Sequence, residues 1–320
     1  MQGDAPGHYE CRVVASPLTD EMLRPFEARM GTVEFSNNLT DDEFERLAEW
    51  LQRYPHLTLG AHDPYRQSIT HLEFLRFFPF IRRFFVFYHS LESLEGLRYL
   101  SDSLERLGIG WSRHKLDLSV LHHLKRLHTL EIESQTKHIE VLSELTTLED
   151  LTLRSITLPD LALLLPLKQL LALDLKLGGT KDLALLPRIG RLRYLELWMI
   201  KGLTDISAVG NLPHLRYLFL QALRRVETLS DLSGAIQLRR VHLETMKGIR
   251  DLRPLATAPA LEELSLIDMR HLQPDDLRCL IGLPKLRAVT AGLGSTRKNE
   301  AATALLGLPD TTFPNDWRDV

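Results

Sequence analysis

The 320-residue chain is short of cysteine, of charge of one sign and of long apolar runs, and each shortage removes a class of protein. Cys11 and Cys279 are its only cysteines and lie near opposite ends. Two cysteines so placed are no disulfide framework of the kind that staples small secreted domains, so free, mostly buried thiols in a reducing cytoplasm are expected. No apolar stretch reaches the roughly 18 residues of a membrane span. The start, MQGDAPGHYE, is polar and acidic and lacks the basic and apolar segments of a secretion signal. A formal net charge of −3 gives no overall basic bias towards nucleic acid or anionic lipid. Arginine supplies 29 of the 39 basic residues, which is used only to favour a bacterial source.

Motifs that carry chemistry are missing as well. His122, His123 and His128 do not have the spacing that sets two imidazoles on one helical face, so they read as solvated side chains. Gly292-Leu293-Gly294-Ser295-Thr296-Arg297-Lys298 lacks the closing Gly-Lys-Ser/Thr of a phosphate loop and reads as a glycine turn before a helix. No nucleophile elbow, zinc motif or paired-carboxylate phrase stands out. The residues predict no metal, no cofactor and no enzymatic activity.

What the chain has in abundance is leucine at fixed intervals. The stretch Leu192 to Leu215 begins L-x-x-L-x-L with Leu192, Leu195 and Leu197, and continues in steps of three through Leu203, Ile206, Val209, Leu212 and Leu215. Such a unit has an apolar edge but no core of its own, so it must stack on another like it. First positions of the unit recur at Ile81, Leu104, Leu127, Leu148, Leu170, Leu192, Leu215, Leu238, Leu261 and Leu286, with intervals of 21 to 25 residues. The alternation in each triplet has strand period with one face inward. The threefold spacing of the return, as in Leu158-Leu161-Leu164-Leu167, suits 3₁₀ turns. A unit of 22 or 23 residues has no room for a full outer α-helix.

The chain before and after this array reads as caps. Tyr9 to Val14 is expected as a short edge strand, and Thr40-Asp41-Asp42-Glu43 as a capping box opening a helix to about Arg53. An earlier helix, around Glu21 to Arg29, is interrupted by Pro25. Met30-Val33-Phe35 and Tyr54-Leu57-Leu59 are degenerate strand phrases. Residues 1–80 are thus an N-terminal cap with two divergent repeats, 81–293 the array of about ten repeats, and 294–320 a C-terminal cap and tail. In that tail Asn299 to Leu306 form an amphipathic helix, Phe313 and Trp317 tuck against it, and the rest, with Pro309 and Pro314, is loosely held.

The phrase Gly202-Leu203-Thr204-Asp205-Ile206-Ser207, followed by Asn211-Leu212-Pro213, resembles the internalin-type short leucine-rich repeat over residues 81–293. The resemblance implies an α/β solenoid: a horseshoe or arc with a parallel β-sheet on the concave side, short 3₁₀ or extended convex segments, and helical N- and C-terminal caps. The chain departs from that family after the strand, where Ile156, Ile200, Leu223, Met246 and Met269 replace the usual Asn. With that ladder of side-chain amides gone, the turns on this edge are expected to be somewhat irregular.

Residues flanking the last leucine of each triplet point away from the core, and neighbouring strands lie about 4.8 Å apart, so they form columns on the concave surface. Phe85, Phe87, Tyr88 and Trp111 make one aromatic group, for which cap packing and binding both stand open. Glu131, Glu133, Asp174 and Glu196 give an acidic bias, interrupted by Arg154 and Lys176, that reads either as a solvated face or as a binding feature. Tyr194, Trp198, Tyr217 and Phe219, bordered by Arg240, His242 and Glu244, make a second aromatic group, and exposed aromatics are enriched at binding hot spots. These columns favour a non-enzymatic module gripping a protein partner with a basic, partly apolar surface, in the manner of an intracellular inhibitor, adaptor or antitoxin-like protein. Two alternatives are an enzyme or effector with an unrecognised site in the N-terminal region, and nucleic-acid binding through stacked aromatics, against which the acidic columns argue. Oligomeric state is not legible.

Overall fold

A computed structural model describes residues 9–28, 30–35, 37–62 and 69–312. The chain divides into two compact units, Met1–Leu148 and Glu149–Val320. Phe313, Pro314 and Trp317, assigned above to the C-terminal tail, and Arg29 lie outside the described residues.

The first unit holds β1 (Tyr9–Val14), β2 (Met30–Phe35), α1 (Asp41–Leu51), β3 (Thr58–His62), β4 (Arg83–Phe87), β5 (Arg106–Ile109) and β6 (Thr129–Glu133). Each of these strands pairs in parallel with the next in sequence. Returns from β3 onward are 3₁₀ turns, at Glu73–Phe77, Glu95–Leu100, Ser119–His123 and Ile139–Glu144. Helix α1 opens with the capping box its sequence predicts: Glu43 N–H donates to Thr40 Oγ1 at 3.3 Å and Thr40 N–H to Glu43 Oε2 at 2.8 Å. The other Glu43 oxygen accepts from Leu18 N–H and Ser16 Oγ, which ties the incoming chain to the helix start. Those bonds hold the Glu43 carboxyl below its ordinary range.

The helix expected around Glu21 to Arg29 does not form; only a turn over residues 20–23 is present. Pro25 disfavours helical geometry in the residue before it. The carbonyls of Arg24 and Pro25 instead accept from the buried Arg12 guanidinium, which also lies over the Phe26 and Trp50 rings. The core here is aromatic where the repeats are leucine: Phe35, Phe44 and Phe74 meet with ring centroids 4.9 to 5.6 Å apart.

The second unit holds β7 (Asp150–Arg154), β8 (Ala172–Lys176), β9 (Tyr194–Trp198), β10 (Tyr217–Gln221), β11 (Arg240–Glu244), β12 (Glu263–Ile267), β13 (Ala288–Ala291) and α2 (Thr296–Leu306). These strands too pair in parallel and in sequence order. The returns are short 3₁₀ turns, except between β10 and β11, where the chain runs extended with isolated turns. In both units the first apolar position of every repeat, Ile81 to Leu286, is buried. Each such leucine contributes about 1.5–3 kcal/mol of burial, and only because the next repeat covers it.

Several returns start the same way. Oδ1 of Asp117, Asp160, Asp182, Asp205, Asp231 and Asp251 accepts the N–H two residues on, at 2.7 to 2.9 Å. A side-chain oxygen here stands in for a backbone turn acceptor. Hydrogen bonds from Ser207, Ser233 and Arg253 hold the carboxyls of Asp205, Asp231 and Asp251 below their ordinary range.

The edge that follows each strand is regular, contrary to expectation. Ser155, Leu177, Met199, Ala222, Thr245 and Asp268 each directly follow a strand and share a left-handed backbone with φ of 50 to 59°. The N–H groups of the first five continue the ladder onto the next strand, at 2.7 to 2.9 Å. Ile156, Ile200, Leu223, Met246 and Met269 then turn inward and are buried. A left-handed corner followed by an apolar plug thus does the work of the missing Asn.

Three further expectations are corrected. Helix α2 starts at Thr296, with Ser295 as its cap, and buries only Ala302, so it covers less core than an amphipathic helix would. Pro309 to Thr312 are anchored: Val289 N–H donates to the Pro309 carbonyl at 2.8 Å and Thr311 N–H to Thr290 Oγ1 at 3.0 Å. Cys11 is exposed and Cys279 partly so, rather than mostly buried, and both thiols are free.

Left-handed geometry costs an L-residue about 1–2 kcal/mol, more than glycine loses in unfolded-state entropy. Ala222→Gly is therefore expected to stabilise the protein by about 0.5–1 kcal/mol and Ala222→Val to destabilise it, measured by urea unfolding. An Ala222→Gly variant less stable than the parent would show that the corner is not strained.

Candidate functional site

Side chains on the sheet face opposite the core form three in-register columns in the second unit. The first reads Asp150, Ala172, Tyr194, Tyr217, Arg240, Glu263, Ala288; the second Thr152, Asp174, Glu196, Phe219, His242, Ser265, Thr290; the third Arg154, Lys176, Trp198, Gln221, Glu244, Ile267. Among these, Asp174, Glu196, Tyr217, His242, Glu263 and Ser265 are buried by their neighbours, although no second layer packs on them from the strands themselves. Tyr194, Trp198 and Phe219 are half-buried.

Asp174 and Glu196 face each other across β8 and β9, each 9% exposed. Lys176 Nζ lies 3.0 Å from Glu196 Oε2 and 3.9 Å from Asp174 Oδ1. Tyr194 donates its phenol proton to the same Glu196 oxygen at 2.9 Å, and Thr152 Oγ1 donates to Asp174 Oδ2 at 2.9 Å. Asp174 Oδ1 has no hydrogen-bond donor. Burial drives the Asp174 carboxyl well above its ordinary range; Lys176 opposes that and Glu196 reinforces it. Once protonated, Asp174 becomes a donor to the facing carboxylate, which supplies the missing partner. Burial, with these carboxylates nearby, also raises the Tyr194 phenol far above its usual value, and burial lifts Tyr217 to about 12. Both phenols therefore stay protonated as donors. Lys176, which interrupts an acidic column when the sequence is read alone, is the counterion of that column.

Beyond this cluster the face turns aromatic. Phe219 stacks on His242 with ring centroids 4.2 Å apart and planes 5° from parallel, and Tyr194 meets Tyr217 edge-on at 5.3 Å. The Arg154 guanidinium lies 5.4 Å over Trp198. His242 Nε2 is 3.2 Å from Glu244 Oε2, and Gln221 donates to the other Glu244 oxygen at 2.7 Å. Burial lowers the His242 pKa despite Glu244, so the ring is neutral at neutral pH and presents Nε2–H to the carboxylate.

At the β12–β13 end the chain itself occupies the face. Thr311 Oγ1 is 2.8 Å from both Ser265 Oγ and Thr290 Oγ1, and Arg240 Nη1 donates to the Thr312 carbonyl at 3.3 Å. Glu263 beneath is held by Arg240 Nε at 3.2 Å and Arg287 Nη2 at 2.8 Å. Tyr217, Arg240, His242 and Thr311 line a cleft of about 10 Å³, the room of a single water. No pattern in Pro309–Thr312 announces this anchoring from sequence.

The first unit holds the remaining candidates. Phe85 lies over Gly60 and Gly108, and Phe87 over Gly110; a side chain at Gly60 or Gly110 would collide with those rings. His62, Phe87, His89 and Trp111 then follow one another with centroids 4.8 to 5.4 Å apart, ending in Trp111, which is 40% exposed. Tyr88 does not belong to this group: it faces the core and donates to the Phe35 carbonyl at 3.0 Å. Glu131 is exposed and Glu133 half-buried. Among the described residues, no group of His, Cys, Asp and Glu is placed to hold a metal ion, and no helix is long and apolar enough to cross a membrane.

The raised Asp174 pKa sets a pH signature. A carboxyl whose folded pKa exceeds its unfolded value favours the fold while protonated, and that contribution is lost as pH rises through the folded pKa. Asp174→Asn mimics the protonated form without titrating. Its stability relative to the parent is expected to rise as pH climbs above the ordinary carboxyl range, followed by thermal melts. A difference independent of pH would show that Asp174 titrates alike in both states.

No protein-family model matches the chain, and no curated protein matches it. Among solved structures, an internalin (inlF) from Listeria monocytogenes is similar over 87% of this chain and 90% of its own, at 18% identity and a TM-score of 0.56. An internalin C2 (inlC2) from the same organism is 26% identical over 55% of this chain and 76% of its own, with a TM-score of 0.44. The first likeness is one of fold, and it agrees with parallel strands that recur every 21 to 25 residues from β3 onward, most of them joined by 3₁₀ returns. This chain has the leucine-rich-repeat fold, in its short-repeat internalin-like form.

Proposed function

We propose that the chain is a non-enzymatic protein-binding module whose contact surface is the open sheet face of residues 149–320. The observation that carries this reading is the half-buried pair Trp198 and Phe219. Each is propped by a neighbour, Arg154 and His242 respectively. A broad face with rigid aromatic anchors suits a protein partner, because little side-chain entropy remains to be lost on binding.

The partner in this reading presents a partly apolar surface with basic groups at its margin. Trp198, Phe219 and Tyr194 supply anchors and Glu244 supplies negative charge; Glu131 and Glu133 belong to the face of the first unit. Asp174 and Glu196 contribute less charge than their number suggests, since Lys176 offsets them and burial favours the neutral form of Asp174. Tyr217 and His242 support the anchors from below, and Phe85, Phe87 and Trp111 form a separate aromatic patch on the first unit. Free, solvent-reached Cys11 and Cys279 fit a reducing cytoplasm, and the role is that of an inhibitor or adaptor in a bacterial cell.

The test is affinity purification from the native cell with wild type and a Trp198→Ala, Phe219→Ala double variant, folding checked by circular dichroism. A specific protein recovered by wild type should be lost with the double variant, with at least about a thirtyfold fall in affinity when measured directly. A partner retained equally by both would overturn the surface assignment. Nucleic acid recovered instead, with affinity falling steeply in salt, would overturn the partner class.

A further inference from the structure

The two described sheet ends are treated very differently by the chain. Strand β13 has a neighbour beyond it, because Pro309 accepts the Val289 N–H and Thr311 bonds to Thr290. Strand β1 pairs with β2 alone among the described residues, and its charged residues, Glu10 and Arg12, are already paired with each other. It is six residues long, YECRVV, with no proline, no lysine and an unbroken register against β2. Three of the most exposed large apolar side chains sit together here: Tyr9 and Val13 at 58% and their neighbour Met30 at 63%.

We propose that β1 is a homodimer edge, at which a second copy of this chain adds its own β1 antiparallel about a twofold axis through Cys11. The occupant follows from the order of residues within the strand. A twofold axis at Cys11 sets Glu10 opposite Arg12 of the second copy, and Arg12 opposite its Glu10. Because Arg12 already holds Glu10 at 2.6 Å within one chain, pairing creates an alternating square of four charges without like charges opposed. On the other face Tyr9 meets Val13 of the second copy, the aromatic–β-branched match that sheets favour, and Cys11 meets Cys11. An axis one residue to either side breaks this: centred on Arg12 it opposes arginine to arginine, and centred on Glu10 it opposes glutamate to glutamate. An isologous contact of this kind closes on itself and leaves no further edge for growth.

Light scattering on the full chain over a wide dilution series should give twice the chain mass at high concentration. Val13→Lys and, separately, Tyr9→Lys each replace an exposed side chain, so both should fold as wild type by circular dichroism yet raise the dimer dissociation constant at least about tenfold. Register is read by complementation: the Val13→Lys chain mixed with the Tyr9→Glu chain should recover dimer, because those positions face each other. In a Cys279→Ser background, diamide should take two protons and two electrons from the paired Cys11 thiols, forming a disulfide-linked dimer that dithiothreitol reverses. A chain that stays monomeric at every concentration overturns the proposal. So does a dimer indifferent to both lysine variants, and so does crosslinking no faster in wild type than in Val13→Lys.

Discussion

The structure depends on one constraint: no repeat can bury its own leucines. A strand such as β9 turns Leu195 and Leu197 inward and leaves them at 0% exposure only because β8 and β10 flank it in register. A shift by one residue would send every leucine outward and every column residue inward. Register is therefore where the energy lies, and the chain fixes it twice on the way out of most repeat strands. Before the return, a left-handed corner places an apolar plug; at the start of the return, an aspartate receives the N–H two residues on. Both restrict where the next strand can begin.

This explains which parts of the fold were legible in sequence. Burial is written as periodicity, so the strands, the 3₁₀ returns and the Thr40 capping box follow from spacing and residue type. Tyr88 was misplaced because an aromatic next to Phe85 and Phe87 looks like a member of their group, although strand parity with Phe84 and Val86 sends it inward. The helix around Glu21 fails for a local reason and a nonlocal one: Pro25 disfavours helical geometry before it, and Arg12 claims the carbonyls that helix would have used. The regular corners are not legible in residue type, because loss of the Asn ladder is not loss of order where backbone geometry alone closes the turn. Nothing local in Pro309 to Thr312 predicts their bonds to Ser265 and Thr290, which lie 21 to 46 residues away.

The candidate site was legible to a different degree. Columns follow from the repeat length, and the structure keeps them residue for residue. What sequence leaves open is which members of adjacent columns satisfy one another. Lys176 sits in the third column but reaches Glu196 in the second, and Tyr194 in the first column reaches the same carboxylate. These contacts turn an acidic stripe into a nearly balanced cluster. They also leave Trp198 and Phe219, which bond to nothing through polar atoms, as the half-exposed apolar members of the face.

That division bears on why these residues are here at all. The second column carries Thr, Asp, Glu, Phe, His, Ser and Thr on seven strands of the same geometry. The fold therefore asks for no particular residue at those positions. A buried carboxyl is a costly choice where threonine or phenylalanine also fits, since desolvation penalises its charge and one oxygen goes without a donor. Packing does not account for Asp174 opposite Glu196. Their effect is to fix Lys176 and Tyr194, and those two side chains sit beside Trp198 and Tyr217 in the register of the sheet. A polar network whose members immobilise the surroundings of an aromatic anchor lowers the entropy that binding would otherwise cost. The stability lost at Asp174 and the rigidity gained around Trp198 are two consequences of one arrangement.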